Sequence, residues 1–138
     1  MKKFEYLSHT ADIKFKAYGK NIEEAFINSA EALKEAMTKD KISAKTRKGI
    51  GIMGDDMESL LYNFLEEVIF LLDSENFIIS KVENIIISEE NGFSLKCDFL
   101  GDHSENYDFT EHVKAITYHE MKIKKSKEGC EITVVLDV

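Results

Sequence analysis

The feature that most narrows the fold is where the spacing of apolar residues changes. Ile22, Ala25, Phe26, Ser29, Ala30, Leu33, Ala36 and Met37 form one apolar to small stripe at helical spacing. Asn21 stands before it with Glu24 three residues on, the spacing of a capping box, and the helix should end near Met37. Met57, Leu60, Leu61, Phe64, Leu65, Val68, Leu71 and Leu72 form a second stripe, running to about Leu72. Gly54-Asp55-Asp56 opens it, since acidic side chains suit a helix N-terminus. Tyr62, Ile69 and Phe70 widen its apolar surface, which predicts burial on more than one side.

Before and after these helices the chain alternates with a period of two. Phe4–Ser8 reads as a short strand, and Asp12–Tyr18 as a longer one closed by Gly19, with Ile13, Phe15 and Ala17 on one face. Lys39–Lys48 is a polar connection, and Lys48–Met53 a glycine-weakened strand. Phe77–Ser88 and Phe93–Leu100 flank Glu89-Glu90-Asn91-Gly92, a hairpin signal. Gly101–Glu111 reads as an acidic loop, after which Lys114–Lys124 and Cys130–Val138 form another hairpin. This order predicts the α+β class: one domain over residues 1–138, with two helices packed on a largely antiparallel β-sheet.

Charge and cysteine content exclude several functions. The net charge is −8, and 17 lysines accompany a single arginine, Arg47. Such a chain lacks the clustered cations and bidentate donors that phosphate backbones favour, so strong direct nucleic-acid binding is not expected. Phe4–His9 supplies no apolar core for a secretory signal, and Val68–Leu72 is too short to span a membrane. Cys97 and Cys130 lie on apolar faces with no CxxC neighbour, as buried, reduced thiols would. The expectation is a soluble cytoplasmic protein.

No phosphate loop, dinucleotide fingerprint, nucleophile elbow or HExxH motif is present. Gly49–Gly54 is glycine-rich and precedes a helix, but Asp55 and Asp56 would repel phosphate there. His9-Thr10-Ala11-Asp12 presents an imidazole and a carboxylate between two strands, where Thr10 and Asp12 could equally serve turn backbone groups. Asp137 stands beside the carboxylate of Val138, and two adjacent anions repel unless a cation neutralises them. Such oxygen ligands suit Ca²⁺ or Mg²⁺; the alternative is a solvated, frayed terminus. By parity Lys114 shares a face with His112, Ile116 and Tyr118, as a sheet-edge charge or the counter-ion of a carboxylate site. His119 falls on the opposite face with Ala115, Thr117, Met121 and Ile123, and reads first as a partly buried core histidine.

Together these segments resemble the archease family. The match is carried by Tyr6–Asp12 (YLSHTAD), Gly19 with Glu23–Phe26, Gly54–Leu61 (GDDMESLL), Phe64–Glu67, Val113–His119 (VKAITYH) and Val135–Val138 (VLDV). Ser8 stands where that family usually has Asp, and Cys130 where it usually has Trp. The resemblance implies a non-catalytic accessory protein whose partner is the GTP-dependent RNA-splicing ligase, including in tRNA splicing. Its role would be to promote the ligase's guanylylation and repeated turnover. It further implies a divalent cation, Ca²⁺ first and Mg²⁺ or Mn²⁺ as alternatives, on Asp12, Asp137 and Val138. Lys114 would serve ligase activation, with His9 and His119 supporting the ligands from behind. Other classes weighed are a metal-independent, chaperone-like interaction module and a metal-dependent phosphotransferase or hydrolase.

Overall fold

Each helix begins three residues after a glycine that ends a strand. In the computed structural model, which describes residues 2–138, β1 (Phe4–Leu7) and β2 (Ile13–Gly19) lead into α1 (Ile22–Met37), and β3 (Thr46–Gly54) leads into α2 (Met57–Glu75). Asn21 caps α1, its side chain accepting the Glu24 N–H at 2.8 Å. The Glu24 carboxylate reaches back past the cap to the Lys20 N–H at 3.0 Å. Asp56 caps α2 by accepting the Ser59 N–H at 2.7 Å, and the Ser59 hydroxyl accepts the Asp56 N–H in return. A Cβ on Gly19 would stand 2.3 Å from the Ala25 nitrogen, and one on Gly54 2.6 Å from the Leu60 nitrogen. Glycine is therefore what lets each strand end lie directly against the first turn of its helix. α2 runs past Leu72 and stops at Asn76, whose left-handed backbone (φ 53°) ends the hydrogen-bond ladder.

The remaining strands are β4 (Phe77–Ser88), β5 (Phe93–His103), β6 (Ala115–Ser126) and β7 (Gly129–Asp137). All pairings are antiparallel, as expected, but they form two sheets rather than one: β1-β2-β7-β6 and β3-β5-β4. The β4–β5 hairpin turns at Asn91 and Gly92, both at positive φ. One core cluster joins both sheets and both helices, with Phe15, Phe26, Phe64, Phe99, Leu33 and Ile132 fully buried. α2 contributes Met57, Leu60, Leu61, Phe64, Leu65, Val68, Ile69 and Leu71 to it. Of the residues expected to widen the apolar surface of α2, Ile69 is buried and Phe70 is 52% exposed.

Two further expectations change. The acidic segment after Leu100 is not a plain loop, because β5 continues through His103 and a single 3₁₀ turn (Ser104–Asn106) follows. Asp102 is buried there, accepting the Tyr107 hydroxyl at 2.6 Å and the His103 N–H at 2.8 Å. These bonds, the Tyr107 hydroxyl first, hold its carboxyl below the ordinary value of 3.8. Second, β6 begins at Ala115, and Val113 rather than Lys114 turns inward. β6 also breaks its alternation, since Thr117 pairs with Val135 but the next pair is Lys122 with Thr133. Four residues, Tyr118–Met121, thus oppose one, and the inward parity flips from Ile116 to Met121 and Ile123. Among the described residues, no helix is long and apolar enough to cross a membrane.

The glycine contacts are testable. Gly19→Ala forces a Cβ into α1 and should lower unfolding free energy by about 1–3 kcal/mol in urea denaturation. Gly49→Ala, with nothing within 4 Å of its Cβ, should change stability by no more than about 0.5 kcal/mol. Because the folded value of Asp102 lies below 3.8, its charge stabilises the fold above that pH, and the contribution disappears as pH falls through it. Thermal melts of Asp102→Asn should accordingly fall less between about pH 5 and about pH 2 than those of the native chain.

Candidate metal centre

The ladder of β2, β7 and β6 gathers the predicted site. Ile13 pairs with Leu136, and Ala115 pairs with Asp137. One step further along the same register sets Asp12 across from Asp137 and Lys114 across from Val138. The Lys114 N–H donates to the Asp137 carbonyl at 2.8 Å, which locks the entry of β6 against the end of β7. Asp137 and Lys114 are exposed and Val138 is half-buried, packed against the core. Residues at opposite ends of the sequence thus meet at one corner of the sheet. Their donors are all oxygens, and two carboxylates at neighbouring register positions favour a hard cation between them.

The turn from β1 to β2 brings in His9. Ala11 adopts a left-handed backbone there (φ 67°), and the His9 Nδ1 stands 3.7 Å from an Asp12 carboxylate oxygen. That distance is too long for a hydrogen bond, and Nδ1 is buried without a partner among the described residues. The ring's other nitrogen, Nε2, lies 3.0 Å from Glu120 Oε2. Lys14 donates to Glu120 Oε1 at 3.0 Å. Hydrogen bonds from Lys14 first, then His9, hold the Glu120 carboxyl below the usual carboxylate range.

His9 therefore does stand beside Asp12, whereas His119 differs from its expected position. Its side chain is 69% exposed rather than partly buried, and its Nε2 lies 3.4 Å from Glu120 Oε2. The bulge in β6 is the cause, because it removes residues 118–121 from the alternation that would have turned His119 inward. Tyr118 stacks on Tyr62 of α2, ring centroids 4.3 Å apart and 7° from parallel. Glu120 takes a left-handed backbone (φ 55°). Glu120 lies in a run of imidazoles and carboxylates along the sequence, but its place beside His9 follows only from the bulge. The cysteines behave as expected: both are free and buried, and burial pushes the Cys97 thiol up to about 12.

Comparison with known proteins identifies the family. Residues 4–138 match the model of the Archease protein family. The chain belongs to the archease family. It is 41% identical over 132 residues to the archease of Pyrococcus abyssi (strain GE5 / Orsay), covering 94% of this chain and 93% of that one. It is 39% identical over 144 residues to that of Sulfurisphaera tokodaii, covering 100% of both. The solution structure of Methanobacterium thermoautotrophicum protein 1598 shares the fold, with a TM-score of 0.84 and 34% identity over 100% of both chains. The α+β architecture read from the sequence is thus that of the archeases.

The corner of this archease has a direct measure. Were Asp12 and Asp137 to hold Ca²⁺, the ion at about one hundred times its Kd would stabilise the metal-free protein by about 2.7 kcal/mol. Asp12→Ala and Asp137→Ala should abolish that gain in calorimetric melts.

Proposed function

We propose that this archease is a non-catalytic activator of the GTP-dependent RNA-splicing ligase, acting in the cytoplasm to promote its guanylylation and repeated turnover. Family membership over nearly the whole chain supports the reading. The observation that carries its site is the register of β2, β7 and β6, which collects Asp12, Asp137, Val138 and Lys114 at one corner. Asp12, Asp137 and Val138 would hold a divalent cation, Ca²⁺ in preference to Mg²⁺ or Mn²⁺. When bound, the cation supplies positive charge toward phosphate oxygens.

This chain's own residues do the positioning. Lys114 balances the charge that the carboxylates leave over. Its backbone bond to Asp137 keeps the two groups in fixed relation. The corner docks beside the ligase's nucleotide site, where preorganised charge favours guanylyl transfer. Arg47, the one arginine, is held by Asp98 at 2.8 Å and Glu83 at 3.0 Å, which suits a protein that leaves RNA binding to its partner.

The test is RNA ligation with catalytic amounts of ligase, in single and multiple turnover. Asp12→Ala, Asp137→Ala and Lys114→Ala should each lower stimulation at least about tenfold. Full stimulation by both aspartate variants would overturn the proposal.

A further inference from the structure

Beside the oxygen-donor corner, three side chains from two distant segments converge on one point. His9 Nε2 and His119 Nε2 approach the same oxygen, Glu120 Oε2, at 3.0 and 3.4 Å, and the three ligating atoms lie within 4.8 Å of one another. Four ligands at about 2.0–2.1 Å from a tetrahedral zinc stand about 3.3 Å apart, so two of these separations already match the edges of such a site. Lys14 engages Oε1 and leaves Oε2 for another partner.

The unpartnered Nδ1 of His9 is a second and independent observation. A metal on Nε2 fixes the ring proton on Nδ1, and metal-bound histidines ordinarily donate that proton to a carboxylate or carbonyl. Asp12 Oδ2, at 3.7 Å, is placed to accept it after a small approach. A buried nitrogen with no partner is thus accounted for by a ligand on the far side of its ring. The backbone is committed as well: the bulge, the left-handed Glu120 and the Tyr118–Tyr62 stack hold His119 and Glu120 toward the β1–β2 turn.

We propose that His9, His119 and Glu120 form a separate site for a borderline transition dication of the Zn²⁺ class, bound through two imidazole nitrogens and one carboxylate oxygen. Its donor set distinguishes it from the neighbouring corner, since nitrogen ligands select Zn²⁺ and Co²⁺ while all-oxygen ligands select Ca²⁺ and Mg²⁺. Cys97 and Cys130 are buried in the core and do not compete for the metal. The inference stands on this geometry and does not rest on the ligase reading.

Co²⁺ titration of the metal-free full-length chain, followed by visible absorption and displacement with Zn²⁺, tests it. The native chain should take up one equivalent of Co²⁺ with d–d bands free of thiolate charge transfer. His119→Ala and Glu120→Gln, both at exposed positions, should weaken binding at least about 100-fold while circular dichroism stays unchanged. A His103→Ala/His112→Ala control should bind as the native chain does. Absence of saturable Co²⁺ or Zn²⁺ binding would overturn the proposal. So would native affinity in His119→Ala, or loss of binding in the control.

Discussion

The fold depends on β7, an inner strand that pairs on both sides. Its ladders to β2 and β6 join a strand near the start of the sequence to one near its end. Cys130, Ile132, Val134 and Leu136 turn inward to the shared core. A one-residue slip of β7 would carry that whole set to the outer face and expel it from the core, so its burial holds the register. Continued one step past the Ile13–Leu136 pair, the same register directs Asp12 toward Asp137. Core packing and the candidate metal site are consequences of one alignment, and neither can shift without the other.

The two helices follow one local rule. In each, a strand ends in a glycine, the residue two places later caps the helix, and the missing Cβ admits the helix backbone. The close approach brings α1 and α2 onto both sheets at once, which explains why α2 is apolar around so much of its circumference. Where that coverage ends, Phe70 is left exposed. α2 also supplies Tyr62, half-buried against the core, the platform on which Tyr118 rests. Packing of the second helix thereby reaches the bulge that carries His119 and Glu120.

Charge acquires meaning only through these placements. A net charge of −8 speaks against phosphate binding by the chain as a whole, and Arg47 is tied to two carboxylates. Most acids are solvated or paired with lysines. A few are set apart by position: Asp12 and Asp137 by register, Glu120 by the bulge, Asp102 by burial. Each group's neighbours, rather than its type, decide what it can bind.

Sequence alone determined the class of the fold, the helix starts and the pairing of late strands into hairpins, because periodicity and caps are local. It also singled out Asp12, Asp137, Val138 and Lys114, through terminal carboxylates, a polar turn and a family pattern. Tertiary structure decided the division into two sheets, the burial of Asp102 and the exposure of His119. It alone brought Glu120 to His9. The physical reason is the β6 bulge: Tyr118–Met121 opposing a single residue of β7 inverts the face of everything beyond it. Alternation read along one strand cannot reveal an irregularity defined by its partner across the ladder.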